Sequence, residues 1–288
     1  MTQPRINSVQ CLSPAGLHRM AYKEWGDAAN PNVLVCVHGV TRVSDDFDAL
    51  AGAMSDRYRV ICPDVVGRGR SSWLKDPRFY AVPQYVSDMV TLVARLDVPQ
   101  VDWFGTSMGA LIGMALASLP ESPVRRMLMN DVGPALNFSA LARIGDYIGN
   151  DLRFGSFDEG RDYVRSICVP FGPHTDAEWD KLARDVLRQD ADGRWRRHYD
   201  PALALAFRTL TVESAQQGEA ALWAAYDAIR CPVLLVRGAE SDLLTRATAQ
   251  QMSERGPRAK LVEVPGVGHA PTFMHDDQIA LARGFFLD

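Results

Sequence analysis

The sequence predicts an α/β fold: a mostly parallel sheet of eight strands, covered by helices on both faces and interrupted by an inserted helical segment. Three observations in the 288 residues carry that expectation. Short, continuously apolar and β-branched runs such as Val33–Val37 read as strands buried on both faces. These runs alternate with longer segments of helical spacing, the pattern of a parallel sheet with helices on either side. The alternation stops at Asp131-Val-Gly-Pro134 and resumes only at Pro232.

Taken in order, residues 6–12 and 18–25 are two strands joined through Ser13-Pro-Ala-Gly16, an antiparallel hairpin. Val33–Val37 is the first buried strand and ends at His38-Gly39-Val40. A helix follows around Phe47–Met54, then the strand Tyr58–Cys62, which runs into the Gly-rich loop Pro63–Ser71. Val86, Met89, Val90, Leu92, Val93 and Leu96 share one helical face across residues 82–96. A strand at 101–104, a helix after it and a strand at 126–130 complete the first half. From 134 to about 217 the signals are helix starts: Ser156-Phe-Asp-Glu159 and Thr175-Asp-Ala-Glu178 are capping-box sequences, and Asp192-Gly193 marks a turn. Strands at 232–236 and 259–264 and a helix from about 277 to 286 close the chain. Residues 1–133 and 218–288 are therefore expected to form one α/β core, with 134–217 as a mainly helical insertion.

Composition narrows the function classes. With 47% hydrophobic and 23% charged residues the chain reads as an ordinary soluble globular protein. A net charge of −4 without a basic stripe argues against nucleic acid as a partner. No apolar run is long enough to span a membrane, and the N-terminal stretch Met1–Gln10 lacks the apolar segment of a signal peptide. The five cysteines are an odd count with no metal-ligand spacing, so reduced thiols and a cytoplasmic protein are expected.

Chemistry concentrates around Gly105-Thr106-Ser107-Met108-Gly109, a Gly-x-Ser-x-Gly between an apolar strand and a helical run. In that context the serine sits on a strained strand-to-helix turn and the Met108 N–H, at a helix start, faces any developing oxyanion. A serine hydroxyl needs a base to remove its proton, and the base needs a third group to orient it. Of His174, His198, His269 and His275, His269 is the best placed: Pro265-Gly-Val-Gly-His-Ala-Pro271 follows the last strand, at the sheet edge where open α/β sheets bind ligands. Asp242, after the strand at 232–236, is the favoured acid; Glu240 is its neighbour, and Asp131, after the preceding strand, is held as the substitute. Val40 supplies the second oxyanion N–H, whereas His38 reads as hydrogen-bonded scaffold. The Gly67-x-Gly69 pair lacks a P-loop lysine and dinucleotide spacing, so it reads as turn packing, with Arg68 and Arg70 solvated or structural.

Together, His38-Gly39, Asp64-x-x-Gly67-x-Gly69-x-Ser71, Gly105-x-Ser107-x-Gly109, Ser241-Asp242 and Gly268-His269 resemble the α/β-hydrolase superfamily over essentially the whole chain. The resemblance implies Ser107 as nucleophile, His269 as base then acid, Asp242 as orienting carboxylate, and Val40 with Met108 as oxyanion donors. It also implies that residues 134–217 form a helical cap between the sixth and seventh core strands. A serine at the elbow departs from the haloalkane dehalogenase and epoxide hydrolase branches, which carry aspartate there. Ala270-Pro271-Thr272 follow His269 where the carbon–carbon bond hydrolases of aromatic catabolism usually carry a tryptophan. The expected function is hydrolysis of a carboxylic ester or lactone through an acyl-enzyme. The alternatives are carbon–carbon hydrolysis of a diketone-type substrate and a non-catalytic binding module on the same fold. A small-molecule substrate is expected, with no cofactor, metal, nucleic acid or membrane. Arg42, Phe138, Phe171 and Trp195 are the candidates for its pocket.

Overall fold

A computed structural model describes residues 3–209 and 211–287. Its main sheet has eight strands: β1 (Arg5–Ser13), β2 (Gly16–Trp25), β3 (Val33–Val37), β4 (Arg59–Pro63), β5 (Val101–Thr106), β6 (Val124–Asn130), and, after the insertion, two more at Val233–Gly238 and Lys260–Val264. The last two are β9 and β10, because a separate two-stranded ribbon intervenes: β7 (Leu187–Gln189) and β8 (Trp195–Arg197). The order across the sheet is β1-β2-β4-β3-β5-β6-β9-β10. Only the β1–β2 and β2–β4 pairs are antiparallel; every pair from β4 to β10 is parallel.

The continuous apolar runs are explained by which layer each side chain meets. Along β3, Val33, Val35 and Val37 enter one core cluster, and Leu34 and Cys36 enter the other. The first cluster lies under α2 (Val82–Leu96), α3 (Met108–Ala117) and α8 (Val212–Ala228). The second lies under α1 (Asp48–Met54) and the helix Asp276–Leu287, where Phe104 meets Phe47 and Phe273 edge-on at centroid distances of 5.5 and 4.7 Å. A strand packed on both faces has no polar alternation to show. All five parallel pairings bring strand C-termini to one edge, and the helix-bearing loops that follow them gather there.

Between β6 and β9 the chain forms α4 (Phe138–Ile148), α5 (Phe157–Ile167), α6 (Asp176–Val186), the β7–β8 ribbon, α7 (Ala204–Arg208) and α8. Both capping signals operate. Thr175 and Glu178 exchange side-chain and backbone bonds at the start of α6. Ser156 caps α5, but Glu159 reaches back to the Gly155 N–H instead of closing the box. The insertion, mainly helical, also carries the ribbon: it turns at Asp192-Gly193, with Gly193 at φ 82°, and its strands are too short to carry a period. The expected boundary between 217 and 218 falls inside α8, whose Trp223 and Tyr226 are buried in the main core. Helices α5 and α6 and the ribbon have a small core of their own, around Phe154, Val164, Trp179 and Leu182.

All five cysteines are free thiols and four are buried. No helix among the described residues is long and apolar enough to cross a membrane.

Candidate active site

The turn from β5 into α3 sets the site. Ser107 has φ 51° and ψ −115°, a backbone conformation costly for any residue with a side chain. The turn persists because its flanks have no Cβ: one on Gly105 would collide with the Gly109 carbonyl, and one on Gly109 with the carbonyl of Val37. The Trp103 indole N–H donates to the Gly109 carbonyl (3.1 Å), and the Ser107 N–H donates to that of Asn130 (2.9 Å). The Ser107 hydroxyl is thereby lifted off the sheet at the first turn of α3.

His269 arrives from the loop after β10. Its Nε2 lies 2.9 Å from Ser107 Oγ and its Nδ1 lies 2.7 Å from Asp131 Oδ2. A carboxylate beside Nδ1 places the ring proton there, leaving Nε2 bare to accept from the serine hydroxyl. Asp131 is fully buried, and its anion is held by the Gly238 N–H on Oδ1 (2.9 Å) and the Ser241 hydroxyl on Oδ2 (2.7 Å). The histidine loop is pinned from two sides: Asn130 Nδ2 donates to the Pro271 carbonyl (2.8 Å), and the Gly268 N–H donates to Pro170 in the insertion (2.7 Å).

Asp242, the acid favoured from the sequence, is not at the histidine. Its side chain is 49% exposed and accepts from Arg143 Nη2 at 2.6 Å. Both aspartates follow a strand at the same sheet edge. In the turn after β9, however, it is Ser241 that points inward, and it does so to hydrogen-bond Asp131. Asp131 takes a left-handed conformation (φ 58°) that Asp tolerates better than most residues, and this turns its carboxylate beneath the histidine.

His38 is buried scaffold, as expected. Its Nδ1 is 2.7 Å from the Gly39 carbonyl and its Nε2 accepts from the Val65 N–H (3.0 Å). Burial lowers its pKa to about 4, so the ring is neutral and holds the loop that carries Val40. Val40 and Met108 both border a cavity of about 320 Å³ that opens at Ser107. As first residue of α3, Met108 has an N–H with no intrahelical acceptor.

Arg68, which the sequence reading left as solvated or structural, is 1% exposed and grips both of those residues. Its Nε donates to the Val40 carbonyl (2.9 Å), its Nη1 to Val66 O (2.8 Å) and Tyr85 Oη (3.0 Å), and its Nη2 meets Met108 Sδ (3.3 Å). No sequence signal marks it, because arginines are rarely fully buried.

The apolar wall of the 320 Å³ cavity comes from Leu136, Leu141 and Ile144, Leu203 and Phe207, with Leu111 and Val132. A smaller cavity of about 60 Å³, which shares Val40, Ser107 and Ile144 with the first, is bordered by His269, Thr41, Arg42, Arg143, Tyr147 and Phe171, among others. Arg42 and Phe171 are thus beside the site, but Arg42 is committed: buried, it gives two hydrogen bonds to Asp46 (2.8 and 2.7 Å) and one to Leu182 O. Phe138 and Trp195 are elsewhere. The inward stripe of α4 is Ala140, Ile144 and Ile148, and Phe138, half a turn away from it, borders a separate surface cleft. Trp195 packs on Phe157 in the insertion's own core.

Residues 34–282 match the model of the alpha/beta hydrolase family, and the chain belongs to that family. It is 59% identical, over 98% of both chains, to a 3-hydroxybutyrate-oligomer hydrolase of Cupriavidus necator. It is 26% identical, over 91% of this chain and 81% of the other, to the esterase Rv0045c of Mycobacterium tuberculosis. Among solved structures, an alpha/beta hydrolase from Novosphingobium aromaticivorans superposes with a TM-score of 0.86 at 30% identity, over 100% of this chain and 99% of that one. The chain is a hydrolase.

Proposed function

We propose that the chain hydrolyses carboxylic esters through an acyl-enzyme, with Ser107 as nucleophile, His269 as base then acid, and Asp131 as the carboxylate that orients it. The observation that carries this reading is the continuous hydrogen-bonded chain Ser107–His269–Asp131 at a strained elbow. Ser107 attacks the carbonyl carbon as His269 Nε2 takes its proton. The oxyanion rests on the Val40 and Met108 N–H groups, and the imidazolium returns the proton to the leaving alkoxide. A water deprotonated by His269 then attacks the acyl carbon and frees Ser107. Helices α4 and α7, which wall the apolar cavity, act as a cap over the substrate. The 59% identity to a hydrolase of 3-hydroxybutyrate oligomers points to short esters of hydroxy acids as substrates. The unpaired thiols fit a reducing compartment such as the cytoplasm.

The test is a panel of p-nitrophenyl butyrate, a linear 3-hydroxybutyrate dimer, a small lactone and a vinylogous diketo acid. Turnover of the two esters is expected, with a p-nitrophenol burst close to one equivalent per active site when deacylation is slower than acylation. Turnover of the diketo acid alone would contradict ester cleavage.

Arg68 yields a separate expectation. Because it ties the Val40 carbonyl to the Met108 thioether, on the two residues proposed as oxyanion donors, Arg68→Gln should lower kcat about 10- to 100-fold and move KM much less. Steady-state kinetics on p-nitrophenyl butyrate read this split, and an unchanged kcat would contradict it.

A further inference from the structure

Three arginines border the cavities that meet at Ser107, and their commitments differ. Arg42 is buried against Asp46 with two hydrogen bonds. Arg68 is enclosed, its donors spent on two carbonyls, a phenol and a thioether. Arg143, on the cap helix α4, borders the same small cavity as Ser107 and His269, and its hydrogen bond goes to one acceptor, Asp242. Both members of that pair are about half exposed, at 43% and 49%. A solvated ion pair of this kind contributes little, so its arginine is released at small cost. A guanidinium at the edge of a narrow cavity gains more from a carboxylate partly enclosed there than from one in water.

Building on the ester-hydrolase reading above, we propose that Arg143 is the anchor for a carboxylate carried by the substrate, and that Asp242 is the counter-ion that holds Arg143 in place while the site is empty. The substrate class is then short esters ending in a free carboxylate, with the hydrocarbon part in the adjoining apolar cavity that also borders Ser107. The other arginine at this cavity, Arg42, is already paired with Asp46. Among the described residues bordering it, Arg143 is the cation with a solvated partner. The exposed aspartate after β9 gains a role different from the one its sequence position suggested: it competes with the substrate for the arginine.

The test uses the linear 3-hydroxybutyrate dimer and its methyl ester, which share the internal ester bond and differ in the terminal charge; rates count initial cleavage of that internal bond alone, because the methyl ester adds a second scissile ester. Products are separated by chromatography, and the readout is the ratio of kcat/KM for the acid to that for the methyl ester. In the wild type the ratio should exceed about 10, since a charge-assisted fork is worth roughly that much in discrimination. Arg143→Gln should lower the ratio at least tenfold, chiefly through KM for the acid, and Arg143→Lys should recover part of it. Asp242→Asn should raise the ratio severalfold, because it removes the competitor. A ratio that does not move with Arg143, or that falls in Asp242→Asn, overturns the proposal while both compounds are still cleaved. If the ester reading itself fails, wild-type protein cleaves neither compound, and the proposal falls with it.

Discussion

Replacing Ser107 with alanine should lower kcat for p-nitrophenyl butyrate by about 10⁶-fold, the loss that follows when the nucleophile of a serine triad is removed. The substitution deletes one oxygen from a residue 8% exposed and leaves the backbone demand unchanged, since serine and alanine are strained alike at φ 51°. His269 keeps its bond to Asp131, and the glycines at 105 and 109 still permit the turn. Circular dichroism and the urea midpoint should therefore remain near those of the wild type. A variant with intact fold and activity within tenfold of the wild type would remove Ser107 from the mechanism.

The second large effect separates the two aspartates. Asp131→Asn is nearly isosteric and asparagine tolerates the left-handed conformation found there. The Gly238 N–H on Oδ1 fixes which way the amide must face: its oxygen has to sit there, so its NH₂ points at Ser241 and at His269 Nδ1. An NH₂ donating to Nδ1 forces the ring proton onto Nε2, the nitrogen that must accept from Ser107. That wrong tautomer should cost about 10⁴-fold in kcat. Asp242→Asn, on a half-exposed side chain bound to Arg143, leaves the histidine tautomer as it was. The two variants should thus differ in kcat on a neutral ester by at least about 10³-fold, measured side by side. Equal losses would return the orienting role to the turn after β9.

Much of this arrangement could be read from residues alone, and what could not has identifiable causes. Strands such as Val33–Val37 and Val233–Gly238 are legible because burial on both faces leaves an unbroken apolar run. Ser107 and His269 are legible because glycine and proline punctuate the loops that carry them; the structure brings the two into hydrogen-bond contact. The sequence favours Asp242 as the acid, whereas Asp131 is the carboxylate at His269, and the reason is geometric. Asp131 and Asp242 both follow strands ending at one edge, and only the direction of a side chain within its turn decides between them. The β7–β8 ribbon escaped because three-residue strands have no period to detect. Phe138 and Trp195 were misplaced as pocket residues because an aromatic side chain does not reveal which face of its element meets the cavity. Arg68 escapes because nothing in a Gly-Arg-Gly loop distinguishes a solvated guanidinium from one buried against the loop that carries Val40.

The most direct measurement is the intact mass of the protein after brief exposure to a p-nitrophenyl phosphonate, followed by peptide mapping. A single phosphonyl adduct on the peptide bearing Ser107 is expected, formed far more slowly in Asp131→Asn and at wild-type order in Asp242→Asn. An adduct on another residue, or labelling at Ser107 that ignores Asp131 and depends on Asp242, would contradict the account.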